Sequence, residues 1–297
     1  MAESGPKRLI EGQVDTSRCV TRVQSQSTGL MKVPSQPHKM IQNSFVILDK
    51  VNNKTEQNLW NQGIINWDSF LNKRSIKGIS GIRKSYYNRQ LLKARHELFN
   101  QNSSYFIDKL SLAETWRLYD FFKEEAVFLD IETSGLSRYD SITVFGMYDG
   151  IDTKMMIRGI NFDYKAIKEE LKKYKLIVTF NGATFDLPFI RKRFPDLMPN
   201  IPHIDLRTAC ARAGLTGGLK NIEKELGIRR RKLVEDMYGG DALTLWRMYR
   251  GSGDKHYLNL LVEYNEEDII NLKTIANFVC NNLKQKMKDE LQQDTAA

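Results

Sequence analysis

The chain has 297 residues, of which 41% are hydrophobic, and it carries a formal net charge of +9. Its first residues, MAESGPKRLI, lack the apolar stretch of a signal peptide, and its apolar runs are too short to span a bilayer. Export and membrane insertion are therefore not expected, and we predict a cytoplasmic location. Cys19, Cys210 and Cys280 are too few and too far apart to build a disulfide framework or a zinc ribbon.

The positive charge is concentrated in the first part of the chain. Residues 1–120 hold 18 Lys and Arg against 10 Asp and Glu, whereas residues 121–297 hold 27 against 26. Between Lys73 and Arg95 there are eight basic residues, no acidic one, and the pair Tyr86 and Tyr87. This pattern favours contact with a nucleic-acid backbone, and the alternative is a solvated helix face.

The chain order predicts four regions. Residues 1–43 are rich in Ser, Gln, Thr and Pro and should form a disordered arm. Residues 44–110 should form a small basic helical region, with two short helices joined at Gly63 in a helix-hairpin-helix-like arrangement and a third helix over 83–99. Residues 111–285 should form the main α/β domain, and residues 286–297 a polar tail.

The main domain begins with a helix over 111–122 and continues with strands. The segments 126–132, 141–148 and 153–158 are rich in β-formers and separated by turn residues, which predicts an antiparallel meander. Helix and strand then alternate: helix 163–174, strand 176–180, a helix after Pro188, strand 201–206, and helices 219–226, 241–250 and 256–285. This order is typical of the ribonuclease-H-like α/β fold, a mixed sheet flanked by helices.

Three fragments carry candidate chemistry. Asp130 and Glu132 share one face of the first strand, about 6 to 7 Å apart along the backbone, so they repel unless the face meets water or a cation. Asp186 follows a strand end, and Tyr264 and Asp268 share one helix face. Four carboxylates with a tyrosine are a ligand set suited to two Mg²⁺ or Mn²⁺ ions.

The same fragments carry a family resemblance. "DIET" (130–133), "NGATFD" (181–186) and "YNEED" (264–268) resemble the motifs of the tyrosine-bearing subclass of DEDD 3′-5′ exonucleases over about residues 126–280. The middle motif is similar to the proofreading domain of family B DNA polymerases. "WRLYDFF", "FLDIETSGL" and "GLKNIEKELGI" further resemble the YprB-type ribonuclease-H-like proteins, with a DnaQ-like exonuclease fold. In that group a segment of the pattern "GIG..TE..LW..GI..W..FL" precedes the nuclease, and its similarity to residues 50–71 extends the resemblance back to about residue 45. This chain departs from the pattern at Lys50-Val51-Asn52-Asn53, where the family has a Gly-bearing hairpin.

The resemblance implies a two-metal mechanism with a role for each motif residue. Asp130 would bridge both ions, Glu132 and Asp268 would complete one coordination sphere, and Asp186 would hold the other ion. Tyr264 would orient the attacking water, and Glu132 would help to remove its proton. The terminal nucleotide would lie against Thr133, Leu136, Asn181 and Phe185, although Phe185 is equally suited to core packing.

Basic and histidine residues near these motifs allow two interpretations each. Lys220 lies at a helix start, where it would approach a phosphate or only cap the helix. The run Arg229–Lys232 would touch a nucleic-acid backbone or form a solvated loop. His203 and Asp205 are poorly spaced for a metal pair, and a strand-end histidine satisfied by the backbone is preferred.

These patterns together predict a metal-dependent 3′-5′ exonuclease acting on single-stranded or frayed nucleic acid, with DNA preferred over RNA and no membrane partner. Two alternatives stay open. One is a catalytically weak nuclease-like module that binds nucleic acid or recruits partners, and the other is a structure-specific endonuclease.

Overall fold

The protein is described here by a computed structural model that covers residues 39–293, apart from residues 138, 233 and 236–238. The predicted disordered arm therefore lies outside the described residues up to residue 38, and Met40–Asn43 forms a turn of 3₁₀ helix. Of the predicted polar tail, residues 294–297 lie outside as well. Within the described ranges, no helix combines the length and the hydropathy needed to cross a membrane.

The centre of the molecule is a five-stranded mixed sheet. Its strands are β1 (Ala126–Thr133), β2 (Ile142–Tyr148), β3 (Thr153–Ile157), β4 (Leu176–Thr179) and β5 (His203–Asp205). They lie in the order β3-β2-β1-β4-β5. The β1–β2 and β2–β3 pairs are antiparallel, and the β1–β4 and β4–β5 pairs are parallel. The predicted meander followed by crossover strands is confirmed, and β1 lies in the middle of the sheet.

Three helices lie within residues 44–110, as predicted. They are α1 (Asn53–Trp60), α2 (Trp67–Asn72) and α3 (Gly81–Phe99), whose first turns are capped by the side chains of Asn52, Asn66 and Ser80. In the turn before α1, Lys50 adopts the left-handed φ of 62°, so this turn forms without a glycine. The helix predicted over 111–122 is instead a 3₁₀ turn at Thr115–Leu118 followed by the short helix α4 (Tyr119–Phe122).

Six further helices surround the sheet among the described residues. They are α5 (Tyr164–Leu171), α6 (Asp186–Arg193), α7 (Leu206–Ala213), α8 (Leu219–Glu225), α9 (Gly239–Ser252) and α10 (Lys255–Gln293). Helix α6 starts before Pro188, because proline is tolerated in a first helical turn, where its missing N–H needs no partner. Helix α7, which the sequence pattern did not predict, is capped by Asp205. Helix α10 continues past residue 285 to Gln293.

The alternation of side chains along β1 decides where its acids point. Val127, Leu129 and Ile131 pack with residues of α5 and α6 on one face of the sheet. Phe128 packs on the other face, in a cluster with residues of α10 such as Leu272. Because side chains alternate along a strand, Asp130 and Glu132 leave β1 on the same face as Phe128. Both acids therefore face α10.

The N-terminal helices pack into the same core as the sheet. Trp60 and Phe70 belong to one hydrophobic cluster with Phe128 of β1 and Met287 of α10. Arg117 bridges these parts of the chain: its Nη1 lies 2.9 Å from Glu56 Oε2 and its Nε lies 2.6 Å from Glu114 Oε2. The segments 44–110 and 111–285, predicted as separate regions, therefore share a hydrophobic cluster and a buried ion-pair network.

Candidate active site

The two acids of β1 lie opposite residues of β2, and one of these residues, a glycine, leaves space for the side chain of Asn265. Asp130 lies opposite Gly146, and Glu132 lies opposite Val144. A Cβ atom on Gly146 would come within 2.0 Å of the Asn265 Oδ1 atom. The absence of a side chain at Gly146 thus admits Asn265 from α10, whose Nδ2 donates to Asp130 Oδ2 at 2.7 Å.

Helix α10 brings the third acid to the same place. Single carboxylate oxygens of Asp130, Glu132 and Asp268 all lie within 4.8 Å of one another. Tyr264 lies one turn before Asp268 on the same face of α10 and is buried. The structure therefore brings Asp130 and Asp268 together. The sequence motifs only implied this proximity.

Asp186 lies beside the other acids, at the start of helix α6, which follows β4 along the chain. Strand β4 pairs with β1 only as far as Phe128, so the next part of β1 has a free backbone edge. Asp186, the first residue of α6, uses this edge: its Oδ1 accepts a hydrogen bond of 3.1 Å from the Ile131 backbone N–H. This bond fixes the fourth acid beside the strand that carries the first two.

The loop between β4 and α6 is held by Asp205. Its two carboxylate oxygens accept hydrogen bonds from the backbone N–H groups of Asn181 (2.9 Å) and Ala183 (3.0 Å). Asp205 is therefore a structural acid and no metal partner of His203. The His203 Nε2 lies 2.8 Å from the Thr179 hydroxyl, and burial lowers the pKa of His203 to about 4. The partner of this histidine is thus a side chain, where a backbone group was expected.

A buried arginine, Arg230, contacts the acid cluster through Asp268. Arg230 donates from Nη2 to Asp268 Oδ1 and, from Nε and Nη2, to Glu223 at 2.7 and 2.8 Å. Its side chain is only 4% exposed. The next residue, Arg231, is half exposed and instead pairs with Glu263, Glu266 and Glu267 of α10. The basic run at 229–232 is therefore, at these two positions, neither a solvated loop nor a free cationic surface.

The acids are held in an environment that opposes their ionisation. Burial, followed by repulsion from Asp186, Asp268 and Glu132, raises the pKa of Asp130 well above its ordinary value. Burial, then Asp268 and Asp186, has the same effect on the pKa of Glu132. Burial raises the pKa of Asp186 to about 7 and that of Asp268 to about 6, the latter against the opposing effect of Arg230. A cation among these groups would relieve the repulsion.

Tyr264 borders a cavity beside the acids. The cavity has a volume of about 320 Å³ and is lined by residues of α8, Arg230, Tyr264 and Asp268. The Lys220 ammonium lies 5.4 Å from the centre of the Tyr264 ring. Burial and the charges of Asp268 and Glu132 raise the pKa of Tyr264, so its phenol stays protonated at neutral pH. Two cations and a hydroxyl donor therefore face a space next to the carboxylates.

The donor set fits divalent metal ions. Hard carboxylate oxygens from three acids converge within 4.8 Å, which is the kind of ligand that Mg²⁺ and Mn²⁺ prefer. The buried Asn265 Oδ1 has no hydrogen-bond partner among the described residues, and the pKa values of all four acids are raised. A cluster of acids that is expensive to ionise without a cation is typical of a metal site.

The residues predicted to contact the terminal nucleotide occupy different surroundings. Thr133 ends β1, and Leu136 lies in the following loop with 81% of its surface exposed. Asn181 adopts a left-handed φ of 64°, and its side-chain oxygen accepts a hydrogen bond from Arg207. Phe185 packs partly against Phe189, with a ring-centre distance of 5.7 Å. Lys220 shares its cavity with Tyr264 and Asp268. The substrate contacts of all five residues stay predictions.

Sequence reasoning missed three residues that hold the acids in place. Asn265 directly follows Tyr264 and was overlooked because an amide followed by Glu266 and Glu267 is typical of a solvated helix position. Arg230 stood in a basic run whose members looked equivalent. Asp205 was assigned no role in the site. A signal for Arg230 existed in the sequence, because Glu223 seven residues earlier is the kind of partner that a buried arginine needs.

Comparisons with known proteins gave a family match and a partial structural match. A comparison with curated proteins returned no sequence match. One solved structure that the chain matches in part is the family B DNA polymerase of the hyperthermophilic archaeon Pyrobaculum calidifontis, at 16% sequence identity and a TM-score of 0.45. That match covers 58% of this chain and only 27% of the polymerase. The profile of the RNase_H superfamily matches residues 127–280, which is 154 of the 297 residues. The chain therefore belongs to the RNase H superfamily.

Proposed function

We propose that the protein is a metal-dependent 3′-5′ exonuclease that hydrolyses phosphodiester bonds in single-stranded or frayed nucleic acid, with DNA preferred over RNA. The superfamily supports a nuclease in general, and the convergence of Asp130, Glu132 and Asp268 oxygens within 4.8 Å carries the metal-dependent assignment. The DEDD-type motifs, including Tyr264, support the exonuclease subclass.

Each acid has a proposed role in holding two ions. Asp130, whose carboxylate feels the charges of the other three acids, would help to hold both ions. Glu132 and Asp268 would complete one set of ligands, and Asp186, fixed to the Ile131 backbone, would serve the other. Bound there, divalent ions would supply positive charge to the reacting phosphate and lower the pKa of a bound water.

The remaining chemistry belongs to side chains of the chain. The Tyr264 hydroxyl stays protonated and would donate a hydrogen bond that orients the attacking water. Glu132 would accept the proton of that water. Lys220 at the start of α8 would contact a non-bridging phosphate oxygen in the cavity beside Tyr264.

The assignment is tested with oligonucleotides labelled at the 3′ or the 5′ end, in Mn²⁺ and in EDTA. Wild-type protein should release mononucleotides from the 3′ end in Mn²⁺ only, and Asp130→Asn should abolish the release. Asp196→Asn is the matched control, because Asp196 is an exposed acid paired with Lys168. Equal cleavage by wild type and Asp130→Asn would refute the assignment. DNA and RNA of one sequence compare the two substrates.

One observation favours a second candidate, a nuclease-like module that binds nucleic acid with weak turnover. Arg230 already donates to Asp268 and so neutralises part of the charge that a metal ion would balance. In this case the protein would bind labelled oligonucleotides with normal affinity but release no nucleotides in Mn²⁺ or Mg²⁺. A circular single-stranded substrate separates both functions from an endonuclease, since only an endonuclease cuts a strand without ends.

A further inference from the structure

The basic stretch between residues 73 and 95 forms a turn and helix α3. Two of its eight cations bind polar side chains of the protein: Arg95 pairs with Asp68, and the largely buried Lys84 donates to Asn88 at 2.8 Å. The other six are exposed and form no ion pair with any described residue: Lys73, Arg74, Lys77, Arg83, Arg89 and Lys93. Three of the six, Arg83, Arg89 and Lys93, lie over tyrosine rings at 5.6 to 5.8 Å from the ring centres, which leaves their charge without a counterion. We call these six residues the basic face.

Some cations elsewhere on the surface are paired, and they provide a contrast with the basic face. Just after the end of α5, Lys172 pairs with Glu169 at 2.6 Å, and Lys173 pairs with Glu170 at 2.8 Å. Lys168 pairs with Asp196 at 2.5 Å. The acids nearest to the basic face are already engaged, because Asp49 binds Lys109 and Tyr86, and Glu97 accepts from Asn102. The basic face therefore has a charge that an external anion can balance.

The cations project from a fixed scaffold. The backbone N–H of Lys77 donates to Gln62 Oε1 at 3.0 Å, and Gln62 Nε2 donates back to the Lys77 carbonyl. Helix α3 is anchored by its buried residues, including Tyr87 and Leu91, and the Tyr87 hydroxyl donates to the Asp49 carbonyl at 2.9 Å. A rigid support lowers the entropy that is lost when the cations bind a partner.

The distribution of the cations fits an extended polyanion. Arg83 and Lys93 are ten residues apart on α3, so their Cα atoms are separated by about 15 Å along the axis, a distance spanned by several phosphates of one strand. Ile82, Tyr86, Arg89 and Lys93 follow one another at helical spacing on the exposed side. Apolar and basic residues therefore share one exposed stripe. In a helix that lies on a membrane they would be segregated to opposite faces.

We propose that the basic face is a sequence-independent binding surface for the phosphate backbone of nucleic acid, which holds the substrate outside the carboxylate cluster. This inference rests on the proposed function only in that the bound strand is the one to be cleaved. Exposed Tyr86 and Ile82 would contribute contacts to sugars or bases beside the phosphates.

The test compares two triple variants with the same change in charge. Arg83→Gln/Arg89→Gln/Lys93→Gln removes three unpaired cations, and Lys168→Gln/Lys172→Gln/Lys173→Gln removes three paired ones. Affinity for a labelled 30-residue single strand is measured in EDTA across a salt series, so no turnover is needed. The first variant should bind about tenfold or more weakly at roughly 0.1 M salt, and its slope of log K against log salt should fall by about 2 to 3. The control should match wild type.

Further arms identify the partner and isolate the role of the face. DNA and RNA strands of equal sequence show which backbone binds more tightly, and either result supports the proposal. Lys73→Gln/Arg74→Gln/Lys77→Gln, which alters only the turn, serves if the helix variant unfolds. Cleavage of a dinucleotide should be unchanged in the helix variant, whereas the KM of a 30-residue substrate should rise.

Two outcomes would overturn the proposal. One is equal affinity and equal salt slope in the two triple variants. The other is binding of anionic phosphatidylserine vesicles that the helix variant loses while it keeps its affinity for nucleic acid. Because affinity is measured without hydrolysis, a protein that binds through this face but does not cleave would refute the proposed nuclease function and leave this inference standing.

Discussion

The basic face and the carboxylate cluster handle like charges in opposite ways. On α3 and its preceding turn, six cations are spread over an exposed surface, where water screens their repulsion. At the end of β1, four acids are drawn together in a largely buried place, and their pKa values rise as a result. Dispersed charge suits a long polyanion with no fixed position, and concentrated charge suits a small ion at one point.

The largest expected effect comes from removing one charge at the centre of the cluster. Asp130→Asn should reduce cleavage by about 10³-fold or more, because it removes the proposed bridging ligand. The same change should raise the melting temperature in EDTA at pH 8, because it relieves repulsion among the acids. Nucleotide release and calorimetry measure the two effects. A fall in the EDTA melting temperature would contradict the electrostatic description of this site.

A substitution in a buried ion pair outside the acid cluster should have the opposite effect on stability. Arg117→Ala leaves Glu56, which is only 1% exposed, without its cation, and should lower the free energy of unfolding by about 3 to 5 kcal/mol. Burial already raises the pKa of Glu56, so the unpaired acid would take up a proton. Chemical denaturation measures the loss.

The control for this variant is Arg231→Ala. The Arg231 side chain is 49% exposed, and the loss of its ion pairs should change the free energy of unfolding by at most about 1 kcal/mol. Similar losses in the two variants would mean that burial does not decide the contribution of these arginines.

Arg230 links the two kinds of charge, because it is a cation placed inside the acid cluster. Arg230→Gln should strengthen Mn²⁺ binding about tenfold, since Asp268 loses a competing partner, and should lower kcat about tenfold, since Asp268 is less firmly oriented. Titration calorimetry and steady-state kinetics measure these changes. Arg231→Gln, the neighbouring control, should alter neither. Weaker Mn²⁺ binding in Arg230→Gln would show that Arg230 supports the metal site instead of competing with it.

The pH dependence should distinguish the cluster from the rest of the surface. The folded-state pKa values of Asp186 (about 7) and Asp268 (about 6) lie above the ordinary value of 3.8, so the folded protein binds more protons than the unfolded chain between about pH 4 and 7. In EDTA, the contribution of these acids to the unfolding free energy is most favourable below this window and is lost as the pH rises through it.

Divalent ions should cancel this loss. The rise in melting temperature on adding Mn²⁺ should therefore be larger at pH 8 than at pH 5, and Asp130→Asn should reduce the difference. Thermal unfolding at the two pH values, with and without Mn²⁺, measures it. An equal rise in melting temperature at both pH values would show that the pKa values of these acids are not raised in the folded protein.

The sequence indicated the fold and the acids better than it indicated what supports them. The order of the strands along the chain followed from β-rich segments and turns. The acids stood in short motifs that the sequence shows directly. The bonds of Arg230 to Asp268, of Asn265 to Asp130, and of Asp205 to the loop before α6 join residues that are 22 to 135 positions apart, so no local pattern reports them. The start of α6 was also misplaced, because proline reads as a boundary although it fits a first turn.

Helix α10 sets a limit on how far the protein can be shortened. One end of the helix carries Tyr264 and Asp268, and the other buries Leu283 and Met287 in the cluster that contains Trp60 of α1. A fragment that begins at residue 111 would expose these side chains to water and leave Arg117 without Glu56. Recombination that joined the sheet to a different N-terminal segment would therefore have to supply both an apolar cover and a buried acid.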